Sequence, residues 1–164
     1  MQKNQQTAPF GNCYEKCYYY YMNKLIIFTD GGARGNPGPV GIGVVIKTET
    51  KEILQKISQR IGETTNNVAE YTAVVKALEW MKNNTTYSPH GIASTGQVFQ
   101  FYLDSTLVVN QLNGLFKVKD AKLRELLLQV RMLEQEVGGK IYYSAIPREK
   151  NMEADVLVNE ALDS

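Results

Sequence analysis

The stretch FTDGGARGNPGP, Phe28–Pro39, decides how this chain reads. It completes the apolar run Leu25, Ile26, Ile27 and Phe28, which predicts a buried strand over Lys24–Phe28. It then sets a single aspartate, Asp30, among four glycines and two prolines. Gly35, Asn36, Pro37 and Gly38 predict a tight turn that brings the chain back as a second strand. An acid placed directly after so apolar a strand needs a partner, because an unpaired buried carboxylate is expensive.

Outward from this stretch, Gly43–Ile46 and Ile53–Ile61 read as the next two strands, and their hairpin-like spacing predicts that the first three are antiparallel. Asn67–Lys82 places Tyr71, Val74, Val75, Leu78 and Met81 on one helical face, and residues 83–96 read as a polar loop. Val98–Leu103 alternates Phe99, Phe101 and Leu103, as a half-covered strand does. A short helix over Ser105–Leu112, an amphipathic helix over Ala121–Val137, a strand over Lys140–Ile146 and a helix over Asn151–Leu162 complete the chain. This order predicts a mixed α/β sheet with helices on its faces. Residues 1–23, with Tyr18 to Tyr21 in a row, differ in character from the rest. They read as a leader, either a dispensable extension or a segment whose tyrosines pack on a sheet edge, ahead of a domain over 24–164.

The length of 164 residues suits one domain with a substantial core. No run approaches the roughly 18 apolar residues of a membrane span, and the N-terminus lacks a signal-peptide core, so a cytoplasmic protein without a membrane partner is expected. A net charge of +1 neither announces nor excludes a nucleic-acid partner, since local patches decide phosphate contact. The two cysteines, Cys13 and Cys17, and the one histidine, His90, do not make a ready zinc set, and free thiols are expected.

Four acids stand in apolar company: Asp30, Glu70 in NNVAEYTAVV, Asp104 in FYLDSTLVV and Asp155 in NMEADVLV. Each has an ordinary explanation. Asp30 suits a turn, Asp104 an N-cap, and Glu70 and Asp155 the first turn of a helix. Taken together they suggest more. Carboxylates gathered at one place repel and raise each other's pKa, and divalent ions relieve that repulsion. A donor set of oxygens alone points to Mg²⁺, with Mn²⁺ as a substitute, and two such ions can drive an in-line phosphoryl displacement by water.

Four blocks, FTDGGARGNPGPVGIGVVI, TTNNVAEYTAVVKALE, FYLDSTLVVNQL and REKNMEADVLVNEAL, resemble in order the catalytic blocks of type 1 ribonuclease H. The resemblance spans about residues 24–162. It implies an RNase H-like fold, a five-stranded mixed sheet of three antiparallel and then two parallel strands with helices on both faces. It also implies an Mg²⁺-dependent endonuclease that cuts the RNA strand of an RNA–DNA hybrid, leaving 3′-hydroxyl and 5′-phosphate ends; separately, a monomer is expected. By the same resemblance Asp30, Glu70, Asp104 and Asp155 match the metal-binding catalytic acids. Asn36, Asn66 and Asn67 match positions that touch the hybrid, where amides suit a 2′-hydroxyl because they both donate and accept. Thr65 matches a pocket for a phosphate of the DNA strand, and Gly31 and Gly32 read as clearing space for the sugar-phosphate backbone.

Several positions depart from the family pattern. The loop before the last acid holds Pro147, Arg148, Glu149 and Lys150 in place of a histidine, which leaves Arg148 as a substitute phosphate-binding cation. His90 lies far from every motif. Asn113–Lys122 is too short for the basic insertion of some members, although Lys117, Lys119, Lys122 and Arg124 remain. Weaker hybrid binding with a shallower salt dependence is expected. Glu63 stands where many relatives place a phosphate-pocket arginine, and Thr106 where some have glutamine. Two other classes stay open: a hybrid-binding module without catalysis, and a metal-dependent DNA nuclease of the same fold.

Overall fold

Strand β1 (Lys24–Ala33) occupies the middle of a five-stranded sheet, and its Leu25 and Ile27 are fully buried. In the computed structural model, which describes residues 24–85 and 96–164, β1 pairs antiparallel with β2 (Gly38–Thr48), and β2 pairs antiparallel with β3 (Ile53–Thr64). On its other side β1 pairs parallel with β4 (Val98–Leu103), which pairs parallel with β5 (Lys140–Ala145). The strand order is β3-β2-β1-β4-β5, the mixed sheet expected from the sequence. The leader 1–23, with Cys13 and Cys17, and His90 lie outside the described residues.

Helix α1 (Asn66–Thr85) lies on β1 and β2, with α3 (Ala121–Val137) packed against it, and α2 (Thr106–Leu112) connects β4 to α3. Helix α4 (Met152–Asp163) covers β2, β3 and β1 from the opposite face. The two faces are visible in adjacent residues: Gly31 meets α1 at Ala69, whereas Gly32 meets α4 at Val158. Because both faces of β2 are covered, Val40, Ile42, Val44, Val45 and Ile46 are all fully buried, where a half-covered strand would alternate. Tyr71, Val74, Leu78 and Met81, the helical face expected from spacing, pack with Leu25, Ile27, Phe99 and Phe101 in the core. Among the described residues no helix is long and apolar enough to cross a membrane.

The structure corrects the sequence at three boundaries that matter for the acids. Strand β1 does not stop at Phe28; the ladder continues through Asp30–Gly43, Gly31–Ile42 and Gly32–Gly41, so Asp30 lies inside the strand. The turn contracts to the few residues after Ala33, where Arg34 N donates to Pro39 O (2.9 Å) and Gly35 takes a φ of +92°. Helix α1 starts at Asn66, which puts Glu70 in its second turn. Asp104 is no N-cap, since Ser105 Oγ accepts from Val108 N (3.4 Å) and caps α2 itself.

Gly31 also acquires a different reason for being glycine. A Cβ there would lie 2.3 Å from both Ala69 C and Glu70 N. What its missing side chain admits is the backbone of α1. Gly43 does the same on the other face, where a Cβ would sit 2.1 Å from Ala154 O of α4. We expect Gly31→Ala to destabilise the fold by about 2–4 kcal/mol, because main chain rather than a movable side chain must give way. Gly32→Ala meets only Val158 Cγ1 at 3.1 Å and is expected to cost about 1 kcal/mol or less. Urea unfolding of the two variants checks the contrast.

Candidate active site

Parallel pairing sets the first two acids side by side. The β1–β4 register ends with Phe28 opposite Tyr102, and two residues further along each chain stand Asp30 and Asp104. The close seat of α1 on Gly31 then brings Glu70 against them. One carboxylate oxygen from each of Asp30, Glu70 and Asp104 lies within 4.8 Å of the others. Asp30 is 5% and Glu70 7% exposed, so the cluster is recessed into the protein. Asp155, in the first turn of α4, lines the same cleft but is not one of this tight trio. Its Oδ1 accepts from Arg148 Nη2 (2.6 Å) and its Oδ2 from Asn159 Nδ2 (3.2 Å), which hold it at the rim.

Crowding and burial show in the proton affinities. Burial first, and then the charges of Asp104 and Asp155, push Asp30 up to about 6 against the opposing pull of the Gly31 N–H bonded to Oδ1 (2.9 Å) and of the Arg148 charge. Glu70 is held well above the ordinary range, first by burial and then by Asp30 and Asp104. Glu70 Oε2 is buried with no hydrogen-bond partner among the described residues. An orphaned carboxylate oxygen within a recessed, oxygen-only donor set fits a hard divalent cation such as Mg²⁺ or Mn²⁺.

The predicted substrate residues divide between this cleft and a second groove beside it. Gly31, Gly32, Asn66 and Arg148 line the cleft with the acids. Asn36, Thr65 and Asn67 line the neighbouring groove together with Asp120 and Lys122. Asn36 bridges the two, its Oδ1 accepting from Asn66 N (3.3 Å), while Asn66 Oδ1 accepts from Ala33 N (2.7 Å). Thr65 Oγ1 accepts from Val68 N (3.4 Å) and serves as the cap of α1. Lys117, Lys119 and Arg124 are exposed.

The family model of RNase H matches residues 22–162. The chain belongs to the RNase H family. Ribonuclease HI of Halobacterium salinarum is 36% identical over 137 residues, which cover 83% of this chain and 63% of the relative. A bifunctional protein of Mycobacterium tuberculosis is 37% identical over 142 residues, 86% of this chain. This chain spans only about a third, 36%, of the length of that relative. The solved structure of LC11-RNase H1, isolated from compost, superposes with a TM-score of 0.77 at 46% identity, covering 87% of this chain and 97% of that one. The same protein has also been solved in complex with an RNA/DNA hybrid, and there the match is 45% identity with a TM-score of 0.77.

Three residues of this RNase H site escaped the sequence. Asn159 lies four residues after Asp155, so helical spacing alone could have found it. Asn151 is 1% exposed and donates Nδ2 to Thr29 O (3.0 Å), tying the start of α4 to the strand beside Asp30. That contact spans 122 residues and leaves no local signal. Arg34, in the β1–β2 turn, also lines the cleft.

The raised Asp30 gives a pH prediction with a definite sign. The folded protein holds that proton more tightly than the unfolded chain, whose aspartate titrates near 3.8. The stabilising contribution is therefore complete below about 3.8 and is lost as pH rises through about 6. In chelator, Asp30→Asn is expected to exceed the wild type in stability by roughly 2–3 kcal/mol at pH 7, with the gap closing towards pH 4. Denaturant midpoints across that pH range measure it.

Proposed function

We propose that this chain hydrolyses the RNA strand of RNA–DNA hybrids as a divalent-metal-dependent endonuclease. The observation that carries the proposal is the recessed trio Asp30, Glu70 and Asp104, with oxygens within 4.8 Å, at the centre of an RNase H-family fold. The hybrid-bound structure of the 45% identical LC11-RNase H1 supports the choice of substrate.

Asp30, Glu70 and Asp104 would hold the ions, with Asp155 completing the set from the rim. Two bound divalent ions would supply a water of lowered pKa and positive charge facing both the attacking and the leaving oxygen. In the hydrolysis the water oxygen bonds to phosphorus, the P–O3′ bond breaks, and the 3′ oxygen leaves as a hydroxyl once protonated. The phosphate stays on the 5′ side of the downstream nucleotide. Recognition falls to the amides. The Oδ1 atoms of Asn36 and Asn66 already accept from the backbone, so each chiefly offers its NH₂ group, which can donate to a 2′-hydroxyl. Arg148, exposed and paired with Asp155, would supply a cation to a phosphate of the substrate.

Labelled RNA–DNA hybrid, RNA–RNA and DNA–DNA duplexes, each incubated with and without Mg²⁺, test the proposal. Cleavage is expected only of the hybrid and only with the metal, giving 3′-hydroxyl and 5′-phosphate ends. Asp30→Asn and Asp104→Asn should each lower the rate by on the order of a thousandfold while folding is retained. Wild-type rates in either variant, or equal cutting of DNA–DNA, would refute it.

A further inference from the structure

Two arginines line the cleft, and each leans on an acid of α4. Arg148 pairs with Asp155 in the first turn of that helix. Arg34 reaches the other end, donating Nη1 to the Leu162 carbonyl (3.2 Å) and pairing through Nη2 with Asp163. We propose that Arg34 is a phosphate-binding residue for the strand seated over the acids, restrained in the free protein by Asp163. The inference rests on the hybrid-cleaving function proposed above.

The root of the side chain is fixed. Arg34 N donates to Pro39 O (2.9 Å), and the preceding Ala33 N donates to Asn66 Oδ1 (2.7 Å). The head is not fixed. The Arg34 and Asp163 side chains are 53% and 66% exposed, and such a surface pair changes an equilibrium by about fivefold at most. One bond each from Nη1 and Nη2 occupies two of the five N–H donors of a guanidinium. A phosphate can take a planar, two-pronged contact from that group, which a single surface carboxylate oxygen does not match. The need for a cation is plain, because a polyanion must settle over a cleft lined by Asp30, Glu70, Asp104 and Asp155. Asp155 and Asp163 are separated by about 12 Å of helix, so in the free protein Arg34 and Arg148 are held at opposite ends of α4.

The competing role is a clamp, since a cation at a helix C-terminus stabilises it. In a clamp Arg34 and Asp163 are partners, and losing either has the same consequence. In a restrained phosphate contact they are rivals, and the consequences are opposite. Steady-state cleavage of hybrid in Mg²⁺ over a salt series, with the full chain carrying Arg34→Ala, Arg34→Lys or Asp163→Asn, separates the two. Arg34→Ala should raise KM about three- to tenfold with kcat changed less than about twofold, and should reduce the slope of log(kcat/KM) against log[salt] by about one. Arg34→Lys should keep the slope. Asp163→Asn should lower KM by about two- to fivefold. If both neutralised variants shift KM the same way, or Arg34→Ala keeps the wild-type slope, the phosphate role is overturned and the clamp stands. A wild-type chain that does not cleave hybrid at all would bring down the proposed function itself, and this inference with it.

Discussion

The site depends on one close contact, the main chain of α1 lying directly on β1 at Gly31. Any side chain there would place a carbon 2.3 Å from the Ala69–Glu70 peptide. With nothing in the way, the helix settles onto the strand one residue from Asp30, and Glu70 arrives beside the carboxylates that the parallel β1–β4 pair has already aligned. Glycine therefore sits next to the acid for a packing reason, and the packing creates the electrostatic environment.

That environment opposes folding. Burial and mutual repulsion raise both Asp30 and Glu70, and the surrounding structure must hold them together regardless. It does so from several sides. The central strand is paired along its length, α4 is seated on β2 at Gly43, and Asn151 fastens α4 to Thr29 O. Behind Asp104, Arg131 Nη2 donates to Leu112 O (2.5 Å) at the end of α2, and its Nη1 reaches Glu134, which also accepts from Tyr143 O–H (2.7 Å). This network joins α2, α3 and β5 and steadies the segment that follows the acid. A rigid frame around a destabilised cluster is the usual compromise of a site built to bind charge.

Much of this was legible in the chain. Alternation in Val98–Leu103, the 3.6-residue spacing of Tyr71, Val74, Leu78 and Met81, and the glycine and proline of the turn are local signals, and the elements formed where they said. Their ends were less legible. Nothing local shows that Gly31–Ala33 stay in the ladder, because continued pairing depends on Ile42, Gly41 and Val40 across the hairpin. The four acids could be named, but their inequality could not: Asp155 is drawn to the rim by Arg148 and Asn159.

The order and type of the elements and the chemical identity of the donors were thus readable in the chain, since periodicity and residue type are properties of a few residues at a time. Which oxygens share a space, why Gly31 must lack a side chain, and that Arg34 meets Asp163 across 129 residues emerge only once the chain has folded. Those outcomes rest on contacts between segments remote in the chain, and such contacts leave no trace in the spacing of either partner.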